Sequence, residues 1–273
     1  MGNDLVSIIM LSHDKGRFVR ESVDSVMAQT YQNWEIIFRD DSSEDDTIKH
    51  LMELKEECKW KKEDGTVVDR LQVYQSVFEQ GTTSLRNSAL KVARGRWIAF
   101  LDVGDVWMPD KLEKQIRFME ENGYAFSYTK YRLCGRKKKD GELKCYDRGY
   151  EIGGKDCVTY DDMLKCCWPA YLTVMYDASK VGLIQAQNLK SNNDYALWLK
   201  ISEENDCYLL NEFLARLRTP WGLLGKLFLT NRIKWRYEVY LKEEEVGMLK
   251  SVFYAIRNLY YGIVKWAKYA KRK

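Results

Sequence analysis

Trp34-Glu35-Ile36-Ile37-Phe38, running into Asp40-Asp41-Ser42-Ser43-Glu44-Asp45-Asp46, and Arg96-Trp97-Ile98-Ala99-Phe100-Leu101, running into Asp102-Val103-Gly104-Asp105, are the two stretches that decide the fold. Each is a short, mostly apolar run that stops abruptly at acids, which is how a buried strand reads when its end opens to solvent. In an open α/β sheet, ligands bind in the crevice beyond the carboxyl ends of the strands. Two such acidic ends can therefore face one crevice, where carboxylates suit a base or ribose and a metal ion. The alternative for either cluster alone is that Asp and Ser merely open a loop and cap a helix.

The neighbouring segments agree with a layered sheet. Val6-Ser7-Ile8-Ile9-Met10-Leu11 reads as another buried strand, and Phe18, Val19, Val23, Val26 and Met27 fall at helical spacing behind it. Ile48, Leu51, Met52 and Leu54 mark a second helix with Asp45 and Asp46 at its start, and Lys59 to Asp69 reads as an exposed polar loop. Leu71-Gln72-Val73-Tyr74 is a short strand, and Ser84 to Ala93 a helix with Gly95 as its expected C-cap. Pro109 precedes a helix opening at Lys111. Strand and helix alternate up to about residue 120, as in a mostly parallel sheet.

Beyond that point the pattern is mixed. Tyr124 to Thr129 and Leu172 to Tyr176 read as strands, and Asp140-Gly141 between Tyr131 to Cys134 and Leu143 to Tyr146 is a hairpin signal. Tyr195 to Ile201 is apolar almost throughout and reads as a buried helix opening after Asn192-Asn193-Asp194.

Of the 273 residues, 45% are hydrophobic and 13% aromatic, enough for one substantial core with a C-terminal appendage. The apolar run Leu5 to Leu11 is too short for a signal peptide, and no run approaches the roughly 18–20 apolar residues of a spanning helix. The expectation is a soluble or peripherally attached cytoplasmic protein. The seven cysteines include no CxxC pair and no zinc-like spacing, so reduced thiols are expected, with the vicinal Cys166-Cys167 pair structural rather than redox-active. Lys226 to Lys273 carries 12 Lys/Arg against 4 Glu, whereas the remainder is net −4. A basic, aromatic tail on an acidic body points to a membrane surface or another anionic partner; nothing indicates nucleic acid.

The order of pieces resembles the inverting, nucleotide-sugar-dependent glycosyltransferases of family 2, with the GT-A fold. The resemblance rests on Val6–Met10 with Ser12-His13-Asp14-Lys15, on Ser25-Val26-Met27-Ala28-Gln29-Thr30-Tyr31-Gln32-Asn33-Trp34-Glu35, and on Asp40 to Thr47. It continues through Gly81 with Leu85-Arg86-Asn87, Ala93 to Asp102, Trp107-Met108-Pro109-Asp110-Lys111-Leu112, and Asn193-Asp194-Tyr195-Ala196-Leu197-Trp198, covering about residues 5–215. It implies an α/β fold with a single Rossmann-like, mostly parallel sheet, a mixed second half and C-terminal helices. Residues 1–220 are read as the catalytic domain, with 1–120 its nucleotide-binding half and 121–220 its acceptor half. Residues 221–273 are a basic aromatic helical extension.

The resemblance further implies a UDP-sugar donor and a saccharide or lipid-linked saccharide acceptor, joined with inversion during cell-surface polysaccharide assembly. Asp41, with Asp40, would hold the nucleotide, because a carboxylate can accept the imide N–H of uracil. Ser12 and His13 would border the base, with His13 alternatively an ordinary loop residue, and Arg86 would face the nucleotide or else lie on a helix surface. Family members usually read Asp-x-Asp-Asp where this chain has Asp102-Val103-Gly104-Asp105. Asp102 and Asp105 are the remaining candidates for the ribose, the diphosphate and Mn²⁺ or Mg²⁺, and one or two protein carboxylates suffice for such a site. Asp194 is the candidate general base, and Trp168 and Tyr171 would shape the acceptor pocket. Arg216 and Arg218 resemble basic positions that follow the catalytic helix, but Thr219 to Leu224 replaces the polar stretch usual after them.

Gly104 also permits a reading as a non-catalytic nucleotide-sugar-binding homologue with a weakened metal site. A nucleotidyltransferase is disfavoured because no glycine-rich phosphate loop follows the first strand. From Val252 onward, Phe253, Ile256, Leu259, Tyr260, Ile263 and Trp266 recur at helical spacing among basic residues. Such a helix either lies in a membrane interface or packs on the protein body.

Overall fold

In a computed structural model, which describes residues 4–61, 65–139, 142–186, 189, 193–219, 228–242 and 244–272, Val6–Ser12 forms strand β1 and is buried along its whole length. Helix α1 (Gly16–Met27) and strand β2 (Trp34–Asp40) follow, then α2 (Thr47–Glu57), β3 (Lys59–Lys61), β4 (Val67–Asp69), β5 (Leu71–Gln75), α3 (Thr82–Leu90) and β6 (Trp97–Phe100). β1 pairs in parallel with β2 on one side and β6 on the other, and β2 pairs in parallel with β5. This is the expected mostly parallel half. The segment expected as a loop over Lys59 to Asp69 instead begins and ends in a small antiparallel pair, β3 with β4. Trp60 lies under the Arg70 guanidinium, 5.7 Å from its ring centroid, which gives the pair an anchor.

The second half comprises β7 (Val106–Trp107), α4 (Lys111–Asn122), β8 (Phe126–Lys139), β9 (Glu142–Ile152), β10 (Cys157–Val158), α5 (Tyr160–Lys165), a 3₁₀ turn (Tyr171–Thr173), β11 (Met175–Asp177), α6 (Ala178–Val181), α7 (Asn193–Ser202) and β12 (Cys207–Arg218). Two helices, α8 (Phe228–Lys242) and α9 (Met248–Tyr269), precede the last strand, β13 (Ala270–Arg272). Along the main sheet the order is β10-β12-β8-β11-β6-β1-β2-β5, with β11 antiparallel to both neighbours and β8 parallel to β12. The sheet is therefore mixed beyond β6.

Several expected boundaries move. The segments expected as separate strands at Tyr124–Thr129 and Tyr131–Cys134 are one long strand, β8, because β12 pairs beside it from Phe126 to Cys134. The expected hairpin is present as β8 and β9, and its proposed Asp140-Gly141 turn lies outside the described residues, as does Asn192. β12 has no counterpart in the sequence reading. Its register shifts between Leu210 and Phe213 break the two-residue alternation by which a strand is recognised. Helix α3 ends at Leu90, before the expected Ala93, and Gly95 does not cap it. A Cβ at Gly95 would stand 2.5 Å from the Leu5 carbonyl oxygen and 2.6 Å from the Ser7 nitrogen, so this glycine permits the close approach of chain to β1.

The cysteine expectation is also corrected. Cys134 and Cys145, on the paired strands β8 and β9 with Cα atoms 5.6 Å apart, are disulfide-bonded; the other five cysteines, including Cys166 and Cys167, are free.

Alternation along β1 sorts its side chains into two layers. Ile8 and Met10 join Phe18, Val23, Leu51 and Leu112 beneath α1, α2 and α4, whereas Ile9 and Leu11 join Leu85, Phe100, Trp198, Tyr240 and Ala255 beneath α3, α7, α8 and α9. The C-terminal helices thus share a core with the sheet. At their centre the Tyr195 and Tyr240 hydroxyls lie 2.8 Å apart, and Asn258 Nδ2 donates to both at 3.1 Å.

Lys111 is fully buried at the start of α4, donating from Nζ to Gln115 Oε1 at 2.7 Å and lying 4.3 Å from the Trp107 ring centroid. Burial lowers its pKa from 10.5 to about 7. Below about 7 both folded and unfolded chains carry this proton, and the fold bears the full cost; between about 7 and 10.5 only the unfolded chain holds it, so stability rises with pH. Lys111→Met is accordingly expected to raise the melting temperature at about pH 6, with the gain shrinking as pH approaches about 10. A gain that does not change over this range in a pH series of thermal unfolding would contradict the assignment.

Candidate active site

The candidate residues come together because parallel strands end together. In the β1–β2 register Ser12 stands opposite Asp40, and the Asp41 N–H donates to the Ser12 carbonyl at 2.9 Å. On the other flank, the Leu101 N–H donates to Ile9 O at 3.1 Å, which brings Asp102 to the same edge. The loops beyond β1 and β2 are then stitched crosswise. The Asp14 N–H donates to Ser43 Oγ at 2.9 Å, Glu44 N–H to Asp14 Oδ1 at 2.9 Å, and Gly16 N–H to Asp45 Oδ2 at 2.9 Å.

Within this edge the first acidic pair divides its duties. Asp40 is fully buried and accepts from the Ser43 N–H at 2.8 Å and Ser43 Oγ at 2.5 Å, so its carboxylate shapes the loop from within. Asp41 accepts from the Gln80 N–H at 2.7 Å and the Gly81 N–H at 3.1 Å, one bond per oxygen, and so ties β2 to the entrance of α3. His13 is exposed, and its Nδ1 lies 2.7 Å from the Asp41 carbonyl oxygen. That hydrogen bond raises the imidazole pKa against slight desolvation, helped by Asp14 and Glu79. Ser12 Oγ is buried without a hydrogen-bond partner among the described residues.

Arg86, Asp102 and Asp194 form the centre. Arg86 is buried on α3, donates from Nε to Tyr171 Oη at 3.3 Å and lies 4.7 Å from that ring's centroid. Burial works against its charge, but Tyr171, Asp194 and Asp102 outweigh it and raise its pKa. The Asp102 carbonyl accepts from the Asp105 N–H at 3.1 Å, while its carboxylate makes no hydrogen bond among the described residues. Desolvation raises its pKa and Asp194 adds to the rise, while Lys15 and Arg86 oppose it. Asp194, in the first turn of α7, acts electrostatically on both Arg86 and Asp102. Beneath them Phe100, Tyr171 and Trp198 pack with centroids 5.0 Å and 5.1 Å from Phe100.

The acid-to-glycine departure has its own architecture. Gly104 has φ +109°, a conformation that side chains rarely adopt, and its N–H donates to Ser22 Oγ at 2.9 Å. Arg218, at the end of β12, donates from Nε to the Gly104 carbonyl at 2.6 Å, and its guanidinium pairs with Glu21. Its backbone N–H donates to Asp105 Oδ1 at 2.8 Å. Asp105 is buried and pushed up to about 7 by desolvation. Arg218 thus holds this loop, with its Nη1 buried and without a hydrogen-bond partner among the described residues.

The chemistry of the donor set fits a divalent cation at one protein carboxylate, Asp102, completed by substrate phosphate oxygens. Asp105 is turned to Arg218 instead, and the described residues contain no cluster of three or more His, Cys, Asp or Glu able to hold a metal alone.

The two acceptor candidates are separated in their contacts. Tyr171 joins Arg86 in the centre. Trp168 donates from Nε1 to Asp162 O at 3.1 Å and packs edge-on against Tyr269 of α9 at 5.6 Å, under the C-terminal extension. A depression of about 820 Å³, lined partly by Tyr124, Lys180, Glu203 and Tyr208, involves none of the candidate residues.

Two cations near the centre were given no role in the sequence reading. Lys15, at the N-terminus of α1, acts on both Asp102 and Asp105, and its place in the loop after the first strand could have been noticed. Arg236 on α8 acts on Asp194, more than 40 positions away along the chain, with no local signal.

A parallel sheet with acids along its carboxyl edge, completed by a mixed half carrying Asp194 on a buried helix, is the architecture of the GT-A glycosyltransferases. The chain belongs to glycosyl transferase family 2, whose profile matches residues 7–171. It is 34% identical over 255 residues to a putative teichuronic acid biosynthesis glycosyltransferase, TuaG, of Bacillus subtilis, covering 91% of this chain and 92% of the relative. It is 32% identical over 270 residues to the Escherichia coli UDP-Glc:alpha-D-GlcNAc-diphosphoundecaprenol beta-1,3-glucosyltransferase WfgD, covering 98% and 97%. Among solved structures, S. aureus TarS 1–349 in complex with UDP-GlcNAc superposes with a TM-score of 0.61 at 16% identity, over 90% of this chain and 69% of that one. It shares the fold.

Because the positive φ and not lack of space restricts position 104, Gly104→Asp is expected to destabilise the protein by about 1–3 kcal/mol. Denaturant unfolding of the variant checks this, and an unchanged midpoint would refute it.

Proposed function

We propose that this enzyme transfers a hexose or hexose derivative from a UDP-sugar to a saccharide carried on a lipid diphosphate, with inversion, during assembly of a cell-surface polysaccharide. The observation that carries the proposal is the electrostatic coupling of Asp102, just beyond β6, with Arg86 on α3 and Asp194 on α7, Arg86 being hydrogen-bonded to Tyr171. The names of the Bacillus and Escherichia relatives support the donor, the acceptor and the setting. Residues 1–220 would form the catalytic domain and 221–273 its extension.

Asp41 would accept the imide N–H of uracil with lone pairs that its two backbone bonds leave over, Asp40 would hold that loop, and Ser12 and His13 would border the base. Asp102 would hold Mn²⁺ or Mg²⁺, with Asp105 fixing the loop beside it. When bound, the ion supplies positive charge against the diphosphate of the leaving UDP. Arg86 adds a permanent cation to the same group. Asp194 takes the proton from the acceptor hydroxyl as its oxygen attacks the anomeric carbon, while the bond to UDP breaks on the opposite face. Tyr171 and Trp168 would contribute to the acceptor pocket.

The extension would place the enzyme on the inner face of the cell membrane. Its helix α9 buries Ser251, Ala255 and Asn258 but leaves Leu249 89%, Phe253 61%, Tyr260 62% and Ile263 60% exposed. Lys250, Lys268, Lys271 and Arg272 are exposed along or beside this apolar stripe, a combination that suits an anionic interface. No helix among the described residues is long and apolar enough to cross a membrane.

Calorimetry of UDP binding with and without Mn²⁺, paired with a transfer assay, tests the chemistry. Asp194→Asn is expected to keep UDP affinity while transfer falls about 10²–10⁴-fold, and Asp102→Asn to lose the enhancement of UDP binding by metal. Undiminished transfer by the first variant would remove Asp194 from the mechanism. For the membrane contact, a Phe253→Glu, Ile256→Glu double variant should melt like the parent yet no longer float with phosphatidylglycerol vesicles; equal flotation would sink that part.

A further inference from the structure

We propose that Arg236 is the acceptor-side anion-binding residue, gripping the phosphate of a lipid-diphosphate-linked acceptor; this rests on the acceptor reading given above. Arg236 lies on α8, with its guanidinium 4.0 Å from the ring centroid of Tyr195, the residue directly after Asp194. Its Nη1 is buried and has no hydrogen-bond partner among the described residues. A buried donor left unsatisfied is costly, the more so when it is charged, so its retention calls for a partner that arrives with a ligand.

The neighbouring cations of the extension are spent differently. Arg257 Nη2 donates to Leu164 O at 3.3 Å, and Lys265 Nζ donates to Cys167 O at 3.1 Å and Trp168 O at 2.5 Å. They hold the segment around Trp168 by its carbonyls, whereas Arg236 makes neither a hydrogen bond nor an ion pair with any described residue.

Its surroundings select the acceptor over the donor. Arg86 interacts with Tyr171, Asp194 and Asp102, on the nucleotide edge. Arg236 interacts with Cys167, Tyr195, Asp194 and Tyr240, on the side of the Trp168 segment. Asp194 thus interacts with two cations whose other partners differ, Asp102 and Tyr171 for Arg86, Cys167 and Tyr240 for Arg236. A saccharide whose hydroxyl is offered to Asp194 would direct its own phosphate toward Arg236.

The test uses the full chain saturated with UDP and Mn²⁺, so that the donor site is filled, titrated with farnesyl diphosphate and with farnesol. The wild type is expected to bind the diphosphate better than the alcohol. Arg236→Gln should bind farnesyl diphosphate about 10-fold or more weakly with unchanged UDP affinity, the loss of one charged hydrogen-bonding group. Arg236→Lys, which keeps the charge, should fall between. Equal diphosphate affinity in wild type and Arg236→Gln overturns the assignment of this residue alone. No preference of the wild type for diphosphate over alcohol, with UDP binding intact, removes the acceptor reading as well. Weakened UDP binding in Arg236→Gln would move the residue to the donor, and loss of phosphatidylglycerol-vesicle flotation would make its anion a phospholipid headgroup; either result overturns the proposal.

Discussion

The register of three buried parallel strands is the constraint on which the site depends. β1 pairs Ser12 with Asp40 on one side and Ile9 with Phe100 on the other, so three chains run out of hydrogen bonding at one edge. With both faces of β1 buried, a slip by one residue would exchange its two apolar layers and expose neither favourably. The core therefore sets the position of the acids, although the acids contribute little to the core. The knot behind this edge reinforces it: Ser7 Oγ donates to Glu35 Oε1 at 2.7 Å and accepts the Gly95 N–H at 2.8 Å, which locks the entry of β6 against β1 and β2.

The mixed half completes the site from the opposite direction. Asp194 opens α7, and α7 is seated by Tyr195 and Trp198, one bound into the hydroxyl network with Tyr240 and Asn258 and the other edge-on to Phe100. Buried hydroxyls of this kind are costly unless satisfied, and here each has its partners. The helix carrying Asp194 is consequently held by α8 and α9 as well as by the sheet. The extension is part of the support of the centre, and its exposed stripe belongs to the same helix.

The glycine in the second acidic cluster shows how a departure from a family pattern is accommodated. With no carboxylate at position 104, the carbonyl there accepts from Arg218, whose N–H also engages Asp105. One arginine, itself paired with Glu21, thereby fixes a loop that carries Asp102 to the crevice.

Much of the first half was legible because local and global preferences coincide there. Val6 to Leu11, Trp34 to Phe38 and Arg96 to Leu101 are apolar on both faces, which only a strand between two helical layers satisfies, and acids at their ends can only lie at its carboxyl edge. Asp41, Asp102, Arg86 and Asp194 were singled out by their motifs. β12 was not, because its bulge destroys the alternation that marks a strand, and the Cys134–Cys145 bond was not, because two strands had to be paired before those thiols met. The sequence by itself determined the sheet edge and the acids on it, since those follow from residues close together in the chain. Only the tertiary structure decided that Arg218 serves the Gly104 loop, that Trp168 lies under α9 and that Arg236 packs on Tyr195. Each of these joins segments whose local sequence carries no information about the other, and burial and charge balance bring them together only once the chain has folded.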